Sequence, residues 1–308
     1  LARVVICEFM GASGVAQLSA THDVLYDPAL VDDPARMRQL AASADAFIVR
    51  NRTQVRGELL AALTRCKLVA RLGVGLDNID TDACAARGIA VIAAVGANAQ
   101  SVAEYVIAST LLLLRGIYRA SDDVIAGRWP RDALSQGREI GGKTLGLVGF
   151  GSIGRTTAAL ARAIGMRVLA FDAMLAADDP AYSVAGVEAV NLDRLVAEAD
   201  VVSLHVPLSA STRGLFDAAR IAAMKPGALL INAARGGIVD EAALVAALKG
   251  GHLGGAALDV FAAEPLPADN LFAGCPNLLL TPHVAGPSKE SSARISTLVA
   301  AKVLEALR

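Results

Sequence analysis

The chain has 308 residues, 29 basic against 30 acidic side chains, and a hydrophobic fraction of 54% with only 4% aromatics. That length suits two ordinary domains whose cores need neither disulfides nor a structural metal. A net charge near zero without any basic block argues against nucleic acid or an acidic membrane surface as partner, while a few arginines in one pocket can still receive a small anion.

Short β-branched runs alternate with helix-length segments, the pattern of a parallel sheet with helical crossovers. The opening LARVVICEF lacks the charged start and apolar middle of a signal peptide and reads as a strand. The first series places strands at Val4–Glu8, Ala46–Val49, Leu68–Ala70 and Ala90–Ile92. Helical stretches lie around Pro34–Ser43, Glu58–Thr64 and Thr81–Arg87, the last with Asp80 as N-cap and Gly88 as stop. One long helix is expected from about Ser101 to Gly127. Its most apolar part, Tyr105–Leu114, is about half of a membrane span, so it reads as a buried helix.

A second series of strands follows at Thr144–Val148, Val168–Phe171, Val201–Leu204, Ala228–Asn232, Gly255–Val260 and Leu278–Thr281. Helices Ile153–Ile164, Leu192–Glu198, Asp217–Met224 and Glu241–Lys249 fill the gaps, and a last helix covers about Lys289–Leu307. Six strands with crossovers make a complete dinucleotide-binding unit. Gly96 and Pro287 each precede a long helical stretch on either side of this series, which suggests one domain inserted into another. The expected fold class is α/β, with two Rossmann-like doubly wound parallel-sheet domains. Cys7, Cys66, Cys84 and Cys275 lie far apart without metal-ligand spacing, so reduced thiols, no metal and a cytoplasmic setting are expected.

The segment TLGLVGFGSIG carries Gly149-x-Gly151-x-x-Gly154 between a buried strand and a helix, the context that makes this pattern informative. A helix N-terminus there can receive a pyrophosphate. Asp172 ends the next strand, where a carboxylate would hold both ribose hydroxyls of NAD and repel the 2′-phosphate of NADP.

Three later segments, INAARGGIVDE, ALDVFAAEPLP and TPHVAG, place Arg235, Glu264 and His283 beyond apolar strands, where open α/β sheets bind ligands. Arg235 offers a planar fork for a carboxylate. His283 can donate a proton near neutral pH, and Glu264 beside it would orient the ring.

Together with RLGVGLDNID, GRWPR, GKTLG and HVAGPSKES, these motifs resemble the D-2-hydroxyacid dehydrogenase family over nearly the whole chain, and its phosphoglycerate dehydrogenase branch most. The resemblance implies an NAD-dependent oxidoreductase acting on a small anionic 2-hydroxy or 2-keto acid, with Arg235, Glu264 and His283 as catalytic residues. It implies a nucleotide domain at 98–286 set inside a discontinuous substrate domain, 1–97 with 287–308. Cofactor contacts are expected at Gly149, Gly151, Ser152, Ile153, Gly154 and Asp172, at His205, Pro207 and Thr212, and at Ala233, Asp259, His283 and Gly286. A homodimer through the 101–127 helix and the Trp129 region is also implied. The regulatory domains that many phosphoglycerate dehydrogenases carry after this point, with their serine feedback, are not expected.

On the substrate side, the resemblance puts backbone amides of the Gly73-Val74-Gly75 loop at the substrate carboxylate, and Asn98 at the hinge. Arg50 and Arg71 match positions used around a phosphorylated substrate, whereas Arg52 departs from the usual small residue. If the strand continues, Arg50 and Arg52 share a face. With Arg235 for the carboxylate, such arginines suit a second anion, phosphate or sulfonate. Phosphohydroxypyruvate, sulfopyruvate and plain hydroxypyruvate or glyoxylate all stay open. So does a binding-only role, since some relatives are NAD-sensing corepressors that keep the trio.

Overall fold

A computed structural model describes residues 1–118 and 120–308; Arg119, inside the single helix expected over 101–127, lies outside the described residues. The chain divides into two compact units, Leu1–Asn98 with Pro287–Arg308, and Ala99–Gly286. Asn98 thus falls in the first. Both units are α/β with all-parallel sheets.

In the first unit, β1 (Arg3–Ile6), β2 (Asp23–Tyr26), β3 (Ala46–Val49), β4 (Leu68–Arg71) and β5 (Ala90–Ala93) lie in the order β2-β1-β3-β4-β5. The central strand β3, AFIV, is apolar and buried throughout because both faces are covered. In β3, Phe47 and Val49 enter the core on one face, and Ala46 and Ile48 the core on the other. The sequence reading has neither β2 nor the helix Ala12–Ser19 before it. β2 is an edge strand whose ends are exposed, so it lacks the doubly buried run that marks its neighbours. Asp80 caps the helix Thr81–Ala86, accepting the Ala83 N–H at 3.0 Å. The last helix, Lys289–Ala306, opens with a Ser288/Ser291 capping box and sends Ile295, Val299 and Val303 into the core that holds Val4 and Ile6.

The second unit orders β6 (Thr144–Val148), β7 (Arg167–Phe171), β8 (Glu188–Ala189), β9 (Val201–Leu204), β10 (Leu229–Asn232), β11 (Gly255–Leu258) and β12 (Leu278–Leu280) as β12-β11-β10-β9-β6-β7-β8. Chain direction across the sheet reverses between β6 and β9, the dinucleotide-binding arrangement. Two-residue β8 is too short to leave a periodic signal. The expected long helix is broken: Ala99–Arg115 stops where Gly116 takes φ +64°, and Ala120–Ile125 and Arg131–Leu134 follow as separate turns. Glycine in the left-handed region ends helices at no steric cost, a stop that overrides apolar periodicity. Among the described residues, no helix is long and apolar enough to cross a membrane.

Candidate active site

The candidate residues of the second unit gather at the carboxyl ends of its strands. β6 runs directly into Gly149, whose φ is +101° and where a Cβ would lie 2.5 Å from the His205 carbonyl oxygen. At Gly154, in the helix that follows, a Cβ would meet the Gly149 carbonyl oxygen at 2.3 Å, so both positions require glycine. Gly151 instead faces open space, and the helix Ser152–Ala163 starts there with no side-chain cap. Uncapped amides of Ser152 and Ile153 with room in front of them fit a pyrophosphate.

Asp172 stands just beyond β7. Its carboxylate accepts the Phe150 N–H at 2.7 Å and the Met174 N–H at 2.8 Å, which ties it to the glycine loop. A carboxylate has about four acceptor sites, so two amides leave capacity for ribose hydroxyls. Asp172→Asn is expected to lower the NADH-over-NADPH ratio of kcat/KM by roughly 10-fold or more, the size of a lost hydrogen bond to a charged acceptor. An unchanged ratio in steady-state assays with both cofactors would remove Asp172 from the ribose site.

His205 follows β9 with its Nε2 3.0 Å from Ser203 Oγ. Its desolvated surroundings push the imidazole down to about 4, so it is neutral near pH 7 and unsuited to act as a second acid. The Thr212 hydroxyl donates to Pro207 O at 2.6 Å and accepts the Ser209 N–H at 2.8 Å, shaping the next loop. Ala233 is half-buried after β10, and Gly286 ends the unit.

Arg235 sits in a clamped loop. Buried Asn232 accepts the Ala234 N–H at 3.1 Å and donates to Arg235 O at 2.9 Å. The Arg235 guanidinium donates to Ala234 O at 2.6 Å. At Gly236 a Cβ would fall 1.7 Å from Phe261 O, so glycine lets this loop press against the chain that carries Glu264. Glu264 Oε1 accepts the Phe261 N–H at 2.9 Å, and Oε2 lies 2.8 Å from His283 Nδ1. Glu264 and His283 are therefore in contact, with Nδ1 engaged by the carboxylate. The imidazole is half exposed, at 50%.

His283 has φ +57°, rare for a residue other than glycine. Asp259, 1% exposed, holds it there. Its carboxylate accepts the Thr281 hydroxyl at 2.7 Å and the N–H groups of Val284 and Ala285 at 2.7 and 2.8 Å. Its carbonyl accepts the His283 N–H at 2.8 Å. Asp259, expected to contact cofactor, has its carboxylate engaged by the histidine loop. Tyr105 extends the chain with its hydroxyl 2.7 Å from Thr281 Oγ1. Sequence reasoning missed Asn232, Thr281 and Tyr105. A polar residue at the end of an apolar strand was the available signal for Asn232.

The other candidates belong to the first unit. The Arg50 guanidinium lies 5.7 Å above the Phe9 ring centroid. Arg52 pairs with Asp32 at the surface. The expected parity fails because β3 ends at Val49, before strand alternation can reach either arginine. Arg71 Nε donates to Arg50 O at 2.9 Å. The amides of Val74 and Gly75 have no hydrogen-bond partner among the described residues, nor does Asn98 Oδ1. Among those residues no three His, Cys, Asp or Glu gather as a metal would require, and the four cysteines are buried free thiols.

Residues 107–285 match the family profile of the D-isomer specific 2-hydroxyacid dehydrogenase, NAD binding domain. The chain is 52% identical over 307 residues to an (S)-sulfolactate dehydrogenase of Chromohalobacter salexigens, covering 100% of this chain and 99% of that one. It is 43% identical over 306 residues to a D-3-phosphoglycerate dehydrogenase of Mycobacterium leprae, covering 99% of this chain but only 56% of that longer protein. Among solved structures, the TT0316 protein of Thermus thermophilus superposes with a TM-score of 0.88 at 32% identity, covering 99% of this chain and 96% of that one. The chain belongs to the D-isomer-specific 2-hydroxyacid dehydrogenase family, as an NAD-dependent oxidoreductase.

Proposed function

We propose that this enzyme interconverts a three-carbon 2-hydroxy acid and its 2-keto acid, where the third carbon carries a second anion, and that this anion is a sulfonate, as in sulfolactate and sulfopyruvate. The observation that carries this reading is the 52% identity, over the full length of both chains, to a relative named for sulfolactate. The S label of that substrate agrees with a D-isomer family, because a sulfonate-bearing carbon outranks the carboxylate in naming priority. Arg50, at the carboxyl end of the β3 segment, is the residue we assign to the sulfonate.

In the reductive direction, the glycine loop and Asp172 would hold NADH, which would supply the hydride for the carbonyl carbon. Arg235 grips the substrate carboxylate with its planar fork and so orients the keto group. We also assign the amides of Val74 and Gly75, which have no hydrogen-bond partner among the described residues, to substrate binding. His283 delivers a proton from Nε2 to the carbonyl oxygen as negative charge builds there. Glu264, 2.8 Å from Nδ1, holds the ring in place. Asp172 and the glycine loop bind the cofactor.

The test is NADH oxidation with sulfopyruvate, phosphohydroxypyruvate, hydroxypyruvate and glyoxylate, in the native enzyme and in Arg50→Ala. We expect sulfopyruvate to be preferred, and Arg50→Ala to reduce its kcat/KM by roughly 30-fold or more, as for loss of one partner from a charged pair. A preference for phosphohydroxypyruvate would make the second anion a phosphate. Equal turnover of all four, untouched by the substitution, would make the enzyme a generalist reductase of small keto acids.

The same proposal includes a homodimer in a cytoplasmic setting. The segment after the Ala99–Arg115 helix displays Ile125 and Trp129 at 84% and 76% exposure, large apolar side chains suited to burial against a second copy.

A further inference from the structure

The arginine assigned to the sulfonate is held by residues to which no role has yet been given. In the first unit, chain order across the sheet reverses between β1 and β3, and open parallel sheets bind ligands at such a reversal. Here the crevice is filled from within. Glu8, just past β1, reaches across to the loop after β3, where four consecutive backbone amides converge on its carboxylate. Oε1 accepts from Arg50 at 2.8 Å and Thr53 at 3.0 Å; Oε2 accepts from Asn51 at 3.3 Å and Arg52 at 3.1 Å. Such a run of amides is an anion nest. Glu8 is only 4% exposed. Burial alone would raise its carboxyl, but the amides of Arg50, Thr53 and Arg52 outweigh it and hold the group below the usual carboxylate range. Glu8 therefore stays ionised at neutral pH.

The opposite side of the Arg50 peptide is held as well. Its carbonyl accepts from Arg71 Nε at 2.9 Å and from Asn78 Nδ2 at 3.4 Å, while Asn78 also donates to Thr53 O at 2.7 Å. The side chain has its own support: the Phe9 ring, next in sequence to Glu8 and 54% exposed, lies under the guanidinium.

We propose that Glu8 and Phe9 are positioning residues for Arg50: the Glu8 carboxylate occupies the amide nest that an anionic substrate would otherwise enter, and the Phe9 ring supports the guanidinium that receives the substrate's second anion instead. This rests on the assignment of Arg50 to that anion. One dipeptide at the end of β1 thereby does two jobs. It closes the backbone site by filling it with the chain's own carboxylate, and it presents a side-chain site in its place.

The experiment measures kcat/KM for sulfopyruvate and for glyoxylate, which lacks the second anion, in Glu8→Gln, Phe9→Leu, Arg50→Ala and the Phe9→Leu/Arg50→Ala double variant. In Glu8→Gln the new amide NH2 meets backbone N–H donors, so the nest loses acceptors and Arg50 loses its register. The sulfopyruvate-over-glyoxylate ratio is expected to fall roughly 10-fold, through KM for sulfopyruvate. Phe9→Leu removes an exposed ring without threatening the core, and the ratio falls roughly 2- to 5-fold. In the Arg50→Ala background Phe9→Leu should change the ratio no further, since both act through one guanidinium.

A merely structural role predicts equal losses with both substrates, and that result in Glu8→Gln and Phe9→Leu would overturn the inference. So would an Arg50→Ala ratio that falls while the Glu8 and Phe9 variants keep the native one. If Arg50→Ala leaves the ratio unchanged, the sulfonate assignment itself fails and the inference falls with it. Should Glu8→Gln not fold, Phe9→Leu and the double variant decide the matter alone.

Discussion

His283→Gln is expected to lower kcat by roughly 10²- to 10⁴-fold, the usual contribution of a positioned general acid, with a much smaller change in KM for the keto acid. Gln has similar reach and can still donate to Glu264, but it cannot supply a proton near neutral pH. His205 is pushed down to about 4 and is hydrogen-bonded to Ser203, so at pH 7 it is neutral and not an imidazolium acid. The loss should fall on the chemical step because the backbone of the histidine loop is held by Asp259 through Thr281, Val284 and Ala285 and not by the imidazole. Single-turnover NADH oxidation checks this directly. A rate within a few-fold of the native one would remove His283 as proton donor.

Arg235→Lys is the second large effect. Lysine keeps the charge but presents a compact ammonium where a carboxylate needs two parallel donors, so the exchange is not conservative at such a site. The Arg235 backbone is held by Asn232, and Gly236 keeps the following turn against Phe261, so the replacement side chain starts from the same anchor. We expect kcat/KM for the keto acid to fall roughly 10²- to 10³-fold, divided between KM and kcat because orientation as well as affinity is lost. Fluorescence titration with NADH separates this from damage to the cofactor site. A loss confined to NADH affinity would place Arg235 with the cofactor and not with the substrate carboxylate.

The parallel α/β architecture was legible from the chain because doubly buried strands such as AFIV and GAAL are continuous apolar runs, and the glycine-loop helix begins where glycine and strand meet. Gly149 to Gly154 with Asp172, and Arg235, Glu264 and His283, were legible as candidates because each lies in a short segment directly after a strand. Chemistry carried on consecutive residues can be read locally. Edge strand β2, two-residue β8 and the stop at Gly116 were not legible, since a half-exposed edge has no distinctive period and one glycine can end a helix that apolar residues would otherwise continue. Tertiary structure alone decided which polar groups hold the candidates in place. Glu8 meets the Arg50–Thr53 amides across more than forty residues, Arg52 turns to Asp32, and Asp259 is spent on the His283 loop. Those pairings depend on which strand ends the sheet brings side by side, and strand order is settled by packing over the whole sheet rather than by any local run of residues.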